Sequence, residues 1–299
     1  MTRNTHDTFT KDWLQELLSD FGTVEIEAQI AGEVRTIDVV FYPSQPSPTD
    51  LQAIGLLGRI VQFPCSIEAF HNAVPEWEVR NCTHKLFQLE NELIRRTKQK
   101  RSNLADTDLP FLWIITPTFS RNLQKQLRAE ENQQWGQGIY FRCPADRTAI
   151  IAIHQLPKAQ DTLWLRLLGR GTIQREAVNE LLALPINHPY RQDTIRHLAI
   201  LQINLQVRQN RTQKLKEVIM NLSPAYEQWL AETLAIGEAR GEARGEARGE
   251  ARGEARGETQ ARRSIARKLL QEGATMDFVS RVTGLAAAEI ETLIETQSD

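Results

Sequence analysis

Apolar residues first recur at helical spacing. Phe9, Trp13, Leu14, Leu17 and Leu18 predict a helix within residues 1–22, and Gly22 ends the pattern. The period then shortens to two. Residues 23–30 (TVEIEAQI) and 33–42 (EVRTIDVVFY) alternate or are rich in β-branched side chains, and Ala31-Gly32 between them suits a tight turn, so a β-hairpin is predicted. Pro43, Pro46 and Pro48 close the second strand; 51–61 then reads as a short helix and 66–69 as a short strand. Residues 76–101 carry a stripe of Val79, Cys82, Leu86, Leu89, Leu93 and Ile94, which predicts a long amphipathic helix. The run FLWIIT at 111–116, halted by Pro117, predicts a strand covered on both faces, and 139–141 and 149–154 are further strands. The expected fold class is therefore α/β: a mixed sheet flanked by helices over 1–157, followed by a helical C-terminal half that begins with a helical region at 158–236.

Residues 237–258 repeat Gly-Glu-Ala-Arg with a period of four. On one helix this places Glu on Glu and Arg on Arg at i,i+4, costing up to about 0.5 kcal/mol per pair. Glycines at 237, 241, 245, 249, 253 and 257 each add about 0.8–1 kcal/mol relative to Ala. Two readings follow. A second copy would let Glu stripes face Arg stripes while Gly and Ala permit close approach, making a homo-oligomeric rod; alone, the segment is a solvated, partly frayed spacer. Residues 259–299 read as a small helical module, three short amphipathic helices jointed at Gly273 and Gly284 with helix-turn-helix spacing. Arg262, Arg263, Arg267 and Lys268 would meet DNA phosphates if that module reads DNA, or the three helices serve packing or dimerisation.

The whole chain has 299 residues and a net charge of -2, so bulk charge draws it to neither nucleic acid nor anionic membrane and any such binding needs a local patch. The strongest is Arg95, Arg96, Lys98, Lys100 and Arg101 at the end of helix 76–101. These cations either track DNA phosphates or are a solvated helix end favoured by the dipole. No apolar stretch is long enough to span a bilayer and no leader pattern opens the sequence, so a cytoplasmic protein without a membrane partner is expected. Cys65, Cys82 and Cys143 form no CxxC pair, the histidines form no HxxxH pair, and GxSxG, P-loop and GxGxxG patterns are missing. Zinc-site, hydrolase-elbow, P-loop and dinucleotide-binding readings are thereby disfavoured.

What remains is a set of acids at the ends of elements. Asp38 interrupts the apolar strand TIDVVF and Glu68 the stretch SIEAF, where a carboxylate is costly unless compensated. A divalent cation with oxygen ligands is one compensator and would serve phosphodiester hydrolysis. An ordinary ion pair, Asp38 with Arg35 for example, is the other.

The order of these elements and acids resembles the PD-(D/E)XK nuclease superfamily, and within it the recombination-promoting nuclease (Rpn) or PD-(D/E)XK nuclease family transposase proteins. HDTFTKDWLQELLSDFG with EVRTIDVVF resembles the family's first helix and Asp-bearing strand, residues 162–171 (TLWLRLLGRG) its following helical part, and ARKLLQEGATMDFVSRVTGLAAAEIETL its short helical ending. The resemblance implies a restriction-endonuclease-like core and a Mg²⁺-dependent DNA endonuclease. Asp38 and Glu68 would hold the metal, Glu16 would assist, and Lys85 would position the attacking water. The third motif departs from the pattern: where the family has Lys or Gln two residues after the acid, this sequence has Phe70. Lys85 on the next helix is the substitute, ahead of His71 and His84. The alternative is a catalytically inactive nuclease-fold assembly protein associating through the repeat, which resembles that of flagellar assembly protein H.

Overall fold

A computed structural model describes residues 5–29, 36–44, 48–99, 105–207 and 213–295. The first helix is α1 (Thr5–Ser19), and it leads into the hairpin β1 (Gly22–Gln29) and β2 (Thr36–Pro43). The expected turn at Ala31-Gly32 lies outside the described residues. The single helix predicted over 51–61 is two, α2 (Pro48–Ala53) and α3 (Gly55–Ile60), because Gly55 adopts φ +53° and breaks the run. No side chain fits there: a Cβ on Gly55 would lie 2.4 Å from the Asp161 carbonyl oxygen.

β3 (Cys65–Ala69), α4 (Glu76–Gln99) and β4 (Phe111–Thr116) follow. Next come α5 (Arg121–Leu127), the two-residue β5 (Glu130–Glu131), β6 (Ile139–Phe141) and β7 (Thr148–Ala152). Neither α5 nor β5 was predicted, and the strand expected to reach residue 154 instead ends in a 3₁₀ turn at Ile153–Gln155. The seven strands form one sheet in the order β1-β2-β3-β4-β7-β6-β5. Its centre, β3-β4-β7, is parallel, and both flanks are antiparallel.

Both faces of the parallel centre are covered, which is why FLWIIT reads as unbroken apolar sequence. Trp113 and Ile115 belong to the same buried cluster as Trp13, Leu14 and Leu17 of α1. Leu112 and Ile114 pack with Val79, Cys82 and Leu86 of α4. The helical continuation, α6 (Leu163–Arg166), α7 (Gly171–Ala183) and α8 (Arg191–Gln206), joins the α1 side: Leu163, Trp164, Val178, Ile195 and Leu198 belong to the same core. Residues 1–230 accordingly form one compact unit. Arg166 is fully buried in it, bonded to Thr162, the Ala159 carbonyl and Glu180.

α9 runs from Gln213 to Gln271 and includes the whole Gly-Glu-Ala-Arg repeat, each residue of which is helical and exposed. Residues 231–299 are the second unit. In it the end of α9 packs with α10 (Met276–Thr283) and α11 (Ala287–Glu295) around Ala266, Val279, Leu285, Ile290 and Leu293. Gly273 and Gly284 take φ +85° and +68° at the two joints, the left-handed positions that end helices. Among the described residues no helix is long and apolar enough to cross a membrane.

Candidate active site

Strand register assembles the acids. Val39 pairs with Ile67 between β2 and β3, so the next step along both strands sets Asp38 against Glu68. On the other side of β2, Ile26 pairs with Val39 and Ala28 with Ile37, which leaves Glu27 opposite Asp38. Three carboxyls on three adjacent strands thus lie in one row. Glu27 has φ +50°, a left-handed conformation costing an ordinary residue about 1–2 kcal/mol.

Two lysines from different helices meet this row. Lys85 of α4 lies one turn beyond Cys82 and next to Leu86, on the buried side of an amphipathic helix, and its Nζ is 2.7 Å from Glu68 Oε1. Lys11 of α1 is 8% exposed, with Nζ 3.0 Å from Asp38 Oδ1 and 3.6 Å from Glu27 Oε1. Asp38 Oδ2 also accepts a hydrogen bond from the Ala69 backbone N–H at 3.2 Å. Asp38 is therefore compensated by Lys11, with Arg35 outside the described residues.

Glu68 is buried and its pKa is pushed up to about 8, first by loss of hydration and then by the neighbouring Asp38 charge; Lys85 opposes the rise without cancelling it. A hydrogen bond joins the two carboxyls, so the proton on Glu68 is the one that relieves their repulsion. Burial pulls the Lys85 pKa down, but the charge and hydrogen bond of Glu68 outweigh it and the net shift is upward. Lys85 is thus a fixed cation. Cys82, one turn before it, has its thiol raised by burial and then by Glu68, and is inert as a nucleophile at neutral pH.

Glu16 is not part of this cluster. Five residues past Lys11, it points to another side of α1 and is bonded to Arg196 and His197 of α8. Phe70, at the position where the sequence departs from the superfamily pattern, packs against the apolar cluster under α4, and the ammonium beside Glu68 is that of Lys85. His84 is exposed. His71 lines a cleft of about 240 Å³ together with Phe9, Ala69 and Phe70. Of the basic tail, Arg95, Arg96 and Lys98 are exposed, with Arg96 paired to Glu92; Lys100 and Arg101 lie outside the described residues. Lys11 and Glu27 had no sequence signal, because a lysine on an amphipathic helix and a glutamate in an alternating strand both read as solvent-facing.

A likeness to known proteins falls in the second unit. Residues 259–295 match the C-terminal HTH domain of the Rpn/YhgA-like nuclease family. The match covers the end of α9, α10 and α11, so the Rpn-type module and the three-helix packing around Val279 and Ile290 coincide. No curated protein and no solved structure matches the chain. Within the Rpn-type module, α11 bears Glu289, Glu291 and Glu295 and no Lys or Arg, while Arg262, Arg263, Arg267 and Lys268 all lie on α9.

Proposed function

We propose that this protein is a Mg²⁺-dependent DNA endonuclease of the Rpn type, with its reaction centre at Asp38, Glu68, Lys85 and Lys11. The observation that carries the reading is the shared carboxyl pair: a buried Glu68, raised to about 8, against a second carboxyl that lysine already neutralises. Counting Glu27, the row holds three carboxyls against two lysines and so lacks one positive charge. The donor set suits a hard divalent cation, because Asp38 and Glu68 offer carboxylate oxygens and the proton between them is what a cation would replace. Asp38 and Glu68 would hold that ion, which when bound lowers the pKa of water and offsets charge on the phosphoryl group.

The chain's own groups do the rest. Lys85 orients Glu68 and keeps a positive charge beside the reacting phosphate, where negative charge grows in the transition state. Lys11 holds Asp38 in place from α1, so the geometry is set by two helices packed in separate cores. Arg95, Arg96 and Lys98 lie from ten to thirteen residues beyond Lys85 along α4, about 15–20 Å at 1.5 Å per residue; they would track the strand away from the cut, with affinity falling as salt rises. In the Rpn-type module, duplex contact would fall to the bases of α9, since α11 is acidic. The exposed repeat would join copies of the chain, Glu stripe to Arg stripe. Deleting 237–258 should then lower the oligomeric state while leaving cleavage in place.

The test is nicking of supercoiled plasmid with Mg²⁺ or Mn²⁺ by the parent chain and by Asp38→Ala. Cleavage by the parent alone supports the reading. Equal cleavage by both, or none by either metal, rejects it.

A further inference from the structure

The amino ends of β3 and β4 hold a cavity that the nuclease reading does not use. It measures about 340 Å³, within the range of small-molecule sites. Its wall follows from strand periodicity: Phe111 and Trp113 are two residues apart on β4 and so share a face, and Phe141 of β6 and Trp135 of the preceding loop complete it. Ring centroids are 4.9 Å apart for Trp113 and Trp135, 5.6 Å for Trp113 and Phe141, and 5.1 Å for Phe111 and Trp113. The rings brace one another, so the wall is preformed.

Among the described residues, one cation at this wall has donors to spare. Arg59 lies 4.3 Å from the Trp135 ring centroid, and one Nη2 bond to the Gln134 carbonyl, at 3.1 Å, is its hydrogen bond to the protein. A guanidinium has five N–H donors. Arg147, which also lines the cavity, is committed to Glu90 and to the Leu109 and Pro110 carbonyls, so anion recognition falls to Arg59.

We infer that this cavity binds a small planar aromatic anion, its apolar ring against Trp113 and Trp135 and its carboxylate or similar group on Arg59. The site is distinct from the acid row: Trp113 belongs to the core on the α1 side of the sheet, whereas Glu68 and Lys85 are on the α4 side. Two features select this ligand class. The aromatic wall favours a flat ring, and a guanidinium already seated on an indole face pairs with a planar carboxylate through two parallel hydrogen bonds.

Calorimetric titration of the full chain with 1-naphthaleneacetate, and with the neutral 1-naphthaleneethanol, tests the inference. One equivalent of the acid should bind. Arg59→Gln, a change at a partly exposed side chain, should weaken the acid by about tenfold and leave the alcohol unchanged. Trp135→Leu should weaken both ligands. Failure of the parent to bind the acid overturns the inference, as does binding that neither substitution alters. The result is independent of plasmid cleavage, so the endonuclease reading and this one stand or fall separately.

Discussion

Replacing Glu68 by Gln removes a titrating proton while keeping the shape of the side chain and an oxygen that accepts from Lys85. In the parent, folding raises this carboxyl from 4.5 to about 8, so between those values the folded chain holds a proton that the unfolded chain has lost. Stability from this group is complete below pH 4.5 and is lost as pH rises through 8. At about 1.4 kcal/mol per pH unit the whole interval is worth at most about 5 kcal/mol. The Lys85 shift is also upward, from 10.5, and acts only at higher pH. Glu68→Gln should therefore match the parent within about 1 kcal/mol at pH 5, where both side chains are neutral, and exceed it by about 2–5 kcal/mol at pH 8. Urea unfolding in EDTA, followed by tryptophan fluorescence at pH 5, 6, 7 and 8, measures this. All six tryptophans lie before residue 231, so the signal reports the unit that contains the site. A stability difference that stays flat across these pH values, or that turns against the variant as pH rises, would refute the shared-proton argument.

Three further outcomes are expected. Mg²⁺ binding at pH 7 should release up to one proton, because the ion takes the place of the one on Glu68; calorimetry in buffers of different ionisation enthalpy should show that release in the parent and none in Glu68→Gln. Lys85→Met should be most damaging at high pH, costing about 3 kcal/mol once Glu68 is forced to ionise unpaired and little at pH 5, as read by the same unfolding curves. Gly245→Ala and Gly249→Ala, where an added Cβ meets nothing within 4 Å, should each stabilise α9 by roughly 0.8–1 kcal/mol, seen as higher helical ellipticity on heating; an unchanged melt would mean that the repeat is not an isolated helix in solution.

Much of the sheet was legible because its signals are local. The hairpin came from period-two alternation, β4 from an apolar run between Pro110 and Pro117, and α4 from a stripe of six apolar positions. The two joints of the terminal module, Gly273 and Gly284, were equally plain, since glycine takes a left-handed φ that other residues resist. The misses were also physical. A helix predicted across 51–61 ignored what Gly55 needs room for, a close approach to the Asp161 carbonyl more than a hundred residues away. β5 has only two residues, Glu130 and Glu131, both exposed, and carries no pattern to read.

The chain by itself settled the hairpin, β4 and α4, and which carboxyls interrupt apolar sequence, because those depend on the nearest few residues. Which charges meet was decided by folding alone. Register set Glu27, Asp38 and Glu68 in a row, and two helices anchored in different cores delivered Lys11 and Lys85 to it, while the turn of α1 carried Glu16 away to α8. Burial then raised Glu68. A side chain's hydration and its neighbours are properties of the packed molecule, and no spacing along the sequence encodes them.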